Sequence, residues 1–425
     1  MRFVSSSSAA LKPADPQATP IVLFGHDSSG ETVSAGGSAA QSIRRQSLSP
    51  DPGAWDLLAI ALSVVVADGV AKRNASPDGW TRELELDVAL HEPSRWAPFA
   101  DSISSALAFL TTDRWSLTFR GGGDLPDAPK TPRYPSADAV ALLSGGLDSL
   151  VGAIDLTAQG HKLFAVSHTV RGDAEKQARF ARLIGSGLDH LQVNHNASTR
   201  RGLKETSQRS RSLIFLAFAV LAATATQRYR DGECIPVFVC ENGFIAINPP
   251  LTPARIGSLS TRTAHPDFLG RMQEILDGTG LRVAITNPYA ERTKGEMLRD
   301  CLDQDLLSDE AAVSTSCGRF QRFNYTHCGR CVPCQIRRAA FLAWGGHDPT
   351  EYVYDDLGRP DDDHAAFDDV RSVAMARLVV AEDGLDRWLG PALSSARITN
   401  KAALRELLQR GLDELGLLHA KFDLP

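Results

Sequence analysis

Nine residues constrain this chain more than any others: Ala141 to Ser149, reading ALLSGGLDS, where a short apolar run breaks into a turn of glycines and hydroxyls. The run Ala139 to Leu143 has the length and flanks of a buried parallel strand, and Leu147 to Ala158 carries apolar residues at helical spacing. Ser144, Gly145 and Gly146 therefore stand where a strand hands over to a helix. A helix start leaves backbone N–H groups without partners and carries partial positive charge, which suits a phosphate, and glycine lets the main chain come close. Ser144 and Ser149 add hydroxyl donors, and Asp148 is placed to hold a magnesium ion or orient a phosphate partner. Leu143 to Ser149 thus form one candidate phosphate-binding stretch. It lacks the Gly-Lys-Ser/Thr ending of a Walker A loop.

Strands and helices alternate on either side of this turn. After Ala139 to Leu143 come strands at Leu163 to His168, His190 to Asn194, Pro236 to Cys240 and Val283 to Thr286, with helices around Asp173 to Gly185 and Ser207 to Tyr229. Such alternation predicts an α/β fold, a doubly wound parallel sheet with ligands at the carboxyl ends of its strands. Upstream, residues 1–50 are rich in Ser, Ala, Gly and Pro and read as a loosely draped, low-complexity segment with one strand-like island at Ile21 to Phe24. Residues 51–120 read as a small α+β domain: a helix from Ala54 to Val70, a half-buried strand from Arg82 to Leu90, a helix from Trp96 to Leu110 and a strand from Trp115 to Arg120. Its expected role is structural or partner-binding. The Gly- and Pro-rich stretch 121–137 reads as a linker, 138–350 as the catalytic domain, and 351–425 as a helical extension in which Leu404, Leu407, Leu408, Leu412 and Leu415 form one stripe.

The formal net charge of −6 gives no global attraction to nucleic acid. The basic cluster Arg200, Arg201, Lys204, Arg209 and Arg211 is the local exception, and it lacks interleaved aromatics. The start, MRFVSSSSAALKPADP, has no apolar core of a secretory signal, and the longest apolar stretch, Leu57 to Ala67, is short of the roughly 20 residues of a membrane span. The expectation is a cytoplasmic protein with no membrane partner. Of seven cysteines, Cys317, Cys328, Cys331 and Cys334 stand in the order C-x10-C-x2-C-x2-C. Four thiolates at about 2.3 Å suit a tetrahedral zinc with no open position, hence a structural ion; an iron–sulfur cluster takes the same ligand count. Cys234, Cys240 and Cys301 read as small core residues.

The string SGGLDS resembles the PP-loop of the ATP pyrophosphatase superfamily, with its adenine nucleotide α-hydrolase-like fold. Joined to the CGRCVPC cluster some 170 residues later, it is similar to 7-cyano-7-deazaguanine synthase (QueC) from about Asp138 to about Gly346. RSRSLIFLAFAVLAA from Arg209, NPYAERTKGEML from Asn287 and STSC ending at Cys317 support that register. The resemblance implies ATP cleavage between the α and β phosphates, with AMP attached to the carboxylate of 7-carboxy-7-deazaguanine and a nitrogen nucleophile displacing it. It makes Lys294 and Arg209 or Arg211 candidates to neutralise charge at the α-phosphorus, with magnesium on the pyrophosphate and zinc structural; Asp148 is the remaining candidate catalytic residue. The sequence departs from the family at Ser167 to Gln177, SHTVRGDAEKQ, where the family has a Tyr-Gly-Gln stretch; His168 there is a candidate contact for nucleotide or substrate. The added length resembles the QatC component of Qat anti-phage systems, which implies a partner protein from a defence operon and a protein amine as an alternative to ammonia. Two rival functions stand beside this one: another PP-loop chemistry on tRNA, and a scaffold that binds ATP without consuming it.

Overall fold

The computed structural model describes residues 1–7, 15–25, 33–170, 172–198, 205, 209–256, 262–359 and 368–425. Two five-stranded sheets organise them. The first contains β1 (Arg2–Ser6), β2 (Thr19–Leu23), β3 (Val33–Ala35), β4 (Glu83–Ala89) and β5 (Arg114–Arg120) in the order β3-β2-β1-β4-β5, every pairing parallel. The second contains β6 (Ala139–Leu142), β7 (Leu163–His168), β8 (Asp189–Val193), β9 (Ile235–Phe238) and β10 (Val283–Thr286) in the order β10-β9-β6-β7-β8, again all parallel. In chain order both sheets run third, second, first, fourth, fifth.

The elements expected between Ala139 and Thr286 are present within a few residues. The first 120 residues differ from expectation. The described parts of residues 1–50 are not loose: they hold β1, β2, β3 and helix α1 (Gly37–Arg45). These strands turn the expected α+β unit into a parallel α/β sheet. β1 escaped notice because its sequence, RFVSS, looks like turn; flanked by β2 and β4, it buries Ser5 and Ser6 completely or nearly so. Cys234 also departs from expectation, being exposed in the turn before β9, while Cys240 and Cys301 are buried. Arg200, Arg201 and Lys204 lie outside the described residues.

Helix α2 (Pro52–Val70) begins with Asp51 accepting from the Gly53 N–H and Pro52 at the first helical position, and every residue from Gly53 to Val70 is buried. It is long and apolar enough to cross a membrane, yet its whole apolar surface is covered by protein. The sheets are joined through it. After α3 (Ala100–Thr111), α4 (Leu147–Ala158) and α5 (Ala174–Leu183) comes α6 (Arg211–Thr224), buried except at Arg211 and Phe215 and packed against α2. Helices α2 and α6 are the crossovers from third to fourth strand of their own sheets. The next crossovers, α3 and α7 (Pro266–Gly278), also pack together. One apolar core consequently runs from Phe3 and Ile21 through Leu58 and Phe218 to Val283.

Past β10, α8 (Lys294–Arg299), α9 (Val332–Trp344), α10 (Asp369–Asp383) and α11 (Lys401–Ala420) complete the chain. The leucine stripe of α11 is buried and belongs to one apolar cluster with Val332 and Ile336 of α9.

A continuous core predicts a single cooperative unfolding transition. Leu58→Ala, in the middle of α2, should lower the unfolding free energy by about 2–5 kcal/mol in chemical denaturation without splitting that transition. An earlier, separate melting of the first sheet would show that the two sheets are independent.

Candidate functional site

The turn after β6 is shaped by its own hydroxyls. Ser149 Oγ accepts from the Ser144 N–H at 3.2 Å and donates to the Gly146 carbonyl at 2.9 Å, while Ser144 Oγ accepts from the Gly146 N–H at 3.2 Å. Gly145 has φ of 85°, a left-handed conformation that L side chains rarely adopt. A Cβ on Gly146 would lie 3.2 Å from the Thr315 carbonyl oxygen, because the segment before Cys317 runs alongside the turn and donates the Thr315 N–H to the Gly145 carbonyl at 2.9 Å. The start of α4 thereby opens into a cavity of about 540 Å³, lined by Ser144, Gly146, Leu147, Asp148 and Ser149. Leu143 does not reach it and is fully buried in the core beneath.

Basic groups arrive from two directions. Lys294, the first residue of α8, is fixed by a reciprocal cap in which Thr293 and Glu296 serve each other's backbone N–H groups. Its Nζ bonds Asp148 Oδ1, and Asp148 Oδ2 accepts from the Asn242 side chain at 2.7 Å and its N–H at 3.2 Å. Arg209 and Arg211, at the start of α6, line the opposite wall. Burial lowers both guanidinium pKa values, that of Arg209 to about 10, yet both stay charged at neutral pH. Arg209 is half-buried and Arg211 is more exposed, and their positive charge favours an anion between the walls.

Other lining residues escaped the sequence. Glu241 and Asn242 follow β9 at the carboxyl edge of the sheet; burial, and after it the Asp148 charge, push the Glu241 carboxyl up to about 7. The rule that ligands sit outside the carboxyl ends of parallel strands marks them in CEN, after VFV. Gln177 braces the turn by donating to the Ser144 and His168 carbonyls, each at 3.1 Å. His168, at the end of β7, lines the cavity beside Val166, Phe215 and Phe218. Its Nε2 is 2.7 Å from His195 Nδ1, and its own Nδ1 is buried with no hydrogen-bond partner among the described residues. Val166, Phe215 and Phe218 make that part of the cavity apolar.

The four expected cysteines converge. Their sulfurs lie within 4.8 Å of one another, with Cys317–Cys331 and Cys328–Cys334 both 3.9 Å apart. Tetrahedral zinc with ligands at about 2.3 Å sets sulfurs about 3.8 Å apart, so the donors fit a metal. Backbone N–H groups of Arg319 and Cys328 point at Cys317 Sγ, and that of Cys331 at Cys328 Sγ, at 3.3–3.4 Å, as suits thiolates. Thr315, Ser316, Cys317, Gly318, Pro333 and Ile336 all line the cavity, so the cysteine cluster pins the wall facing the SGGLDS turn.

No family model matches the chain. It is similar to 7-cyano-7-deazaguanine synthases: 24% identical over 233 residues to that of Methanococcus aeolicus, covering 51% of this chain and 99% of the relative. It is 28% identical to that of Agrobacterium fabrum (50% of this chain, 91% of the relative) and 29% identical to that of Rhizobium leguminosarum (51% and 93%). About half of this chain thus accounts for nearly the whole of each.

Two outcomes are expected. Cys331→Ala should lose bound metal by elemental analysis and melt at lower temperature, since a closed four-thiolate site contributes folding energy; an unchanged melt would refute a structural ion. Burial pushes His168 down to about 3 and His195 to about 4, with Arg211 acting the same way on both. Between about pH 6.5 and 4 the unfolded chain therefore binds protons that the folded chain refuses, and stability falls as pH drops through that window. Melting temperatures from pH 7 to 4 should fall more steeply for wild type than for His195→Gln.

Proposed function

We propose that the chain is an ATP-dependent ligase that adenylates the carboxylate of 7-carboxy-7-deazaguanine and passes the acyl group to a nitrogen nucleophile. The observation that carries this reading is the meeting, at one cavity, of the SGGLDS turn with Lys294, Arg209 and Arg211. The similarity to 7-cyano-7-deazaguanine synthases supplies the substrate class.

A carboxylate resists amines because its leaving group would be oxide. Attack of a carboxylate oxygen on the α-phosphorus of ATP breaks the α–β bridge and releases pyrophosphate; the amine then attacks the acyl carbon and AMP leaves. For the nitrile, the amide oxygen takes AMP from a second ATP, and loss of AMP and the nitrogen-bound protons leaves the carbon–nitrogen triple bond. The turn's N–H groups and Ser144 and Ser149 hold the leaving pyrophosphate. Arg209, Arg211 and Lys294 offset charge that grows at the α-phosphorus, and such preorganised groups contribute most when water is excluded. Lys294 is drawn from Asp148 toward phosphate as ATP binds. Asp148 and the pyrophosphate oxygens would hold magnesium, which supplies further charge neutralisation. The apolar slot beside His168 takes a planar ring. The cysteine cluster keeps the facing wall in place and enters no chemical step. The extra length and the resemblance to QatC point to anti-phage defence, with a partner protein's amine as the alternative to ammonia.

The test is mass spectrometry of the full chain with ATP, magnesium, 7-carboxy-7-deazaguanine and ammonia. AMP, pyrophosphate and an amide or nitrile are expected, and Lys294→Ala or Asp148→Ala should slow AMP formation about 100-fold or more. ADP in place of AMP, or no nucleotide cleavage even with a partner protein as acceptor, would refute the reading.

A further inference from the structure

We propose that the first sheet belongs to the active site, with Asp68 as the positioning residue that sets Arg209 and Arg211. The inference rests on the ATP-cleaving reading above and gives the first 137 residues a role in it.

Asp68 sits in the last turn of α2, its side chain fully buried. One of its oxygens, Oδ2, accepts from the backbone N–H of Arg209 at 2.7 Å, from that of Ser210 at 2.9 Å and from Ser210 Oγ at 2.8 Å. Ser210 is the residue that precedes α6; its hydroxyl donates to Asp68 and does not cap its own helix. A carboxylate from the other sheet thus faces the amino end of α6, satisfying N–H groups and complementing the helix dipole. Arg211, Ser212, Phe215 and Phe218 project from α6 into the cavity. Moving that amino end moves the cavity wall.

Asp68 is itself held rigidly. Arg82, also fully buried, donates to Asp68 Oδ1 at 2.6 Å and to the Asp68 and Ala71 carbonyls at 2.9 and 2.8 Å. Asp113 accepts from Arg82 and, with both oxygens, from Arg73 at 2.9 and 3.0 Å. Trp80 lies between guanidiniums, 5.2 Å from Arg73 and 4.5 Å from Arg209. Two carboxylates and two guanidiniums balance, and none of the four lines the cavity. Apolar side chains of similar volume often stabilise a core as well as such a cluster does, so stability alone does not account for it. Of the four, Asp68 is the one that bonds the backbone carrying Arg209 and Arg211.

The test compares full-length wild type, Asp68→Asn and Asp113→Asn. AMP formation is measured against ATP concentration with 7-carboxy-7-deazaguanine and ammonia, and Mg·ATP affinity is measured by calorimetry without the second substrate. Asp68→Asn should lower kcat/KM for ATP at least tenfold and weaken Mg·ATP at least fivefold. Asp113→Asn breaks the same cluster without touching Arg209 or Ser210; it should lower the melting temperature comparably and keep both readouts within twofold of wild type. Asp68→Asn within twofold on both readouts, or equal losses in the two variants at matched melting temperature, would overturn the proposal. Should Asp68→Asn not fold, Ser210→Ala is read in its place: a threefold or larger fall is expected, and no fall overturns it. A wild type that binds Mg·ATP but forms no AMP defeats the reading of function alone, and affinity still decides the positioning role. A wild type that binds no Mg·ATP defeats both.

Discussion

The packing of α2 against α6 is the contact on which the rest depends. Two helices without a polar face can be stable in water only if each is covered on all sides, and here each is covered by its own sheet and by the other helix. This fixes the distance between the sheets and places the amino end of α6 beside the last turn of α2. The SGGLDS turn, the basic wall and the cysteine cluster are then arranged around that end.

Within the site, burial and charge act together. Arg209 is a half-buried cation and Arg211 a more exposed one, Asp148 is tied to Lys294 and Asn242, and burial pushes the Glu241 carboxyl up to about 7. A polyanion entering such a space gains more than it would from the same charges in water, and it has a cation to draw away from an existing partner. The facing wall, braced by four cysteines, needs no water-exposed side chain to hold its shape.

The second sheet was legible because its inner strands, such as Ala139 to Leu142 and Leu163 to His168, are near-continuous apolar runs, the pattern of strands buried on both faces. The cysteine cluster was legible from spacing alone. The first sheet was not, for reasons that lie in particular residues. β3 has three residues, β1 hides two buried serines in what reads as a polar tail, and the alternation of RELELDVAL puts Arg82 at a strand's ragged start, where a charge is normally solvated. Its partners Asp68 and Asp113 stand 14 and 31 residues away, so no local pattern announces the pairing. Arg209 and Arg211 were legible as candidate cations, but what orients them is long-range and could not be read.

A shared core also has a consequence for how damage spreads. Where two sheets fold as one, destabilisation is not confined to the sheet that suffers it: each loss of about 1.4 kcal/mol divides the folded-to-unfolded ratio of the entire chain by ten. A cavity-forming substitution in β2, far from any phosphate, removes as many competent molecules from a population as one of equal cost beside the SGGLDS turn. Inheritance of this chain therefore runs through both halves, and the half without chemistry is no freer to vary in its core than the half with it.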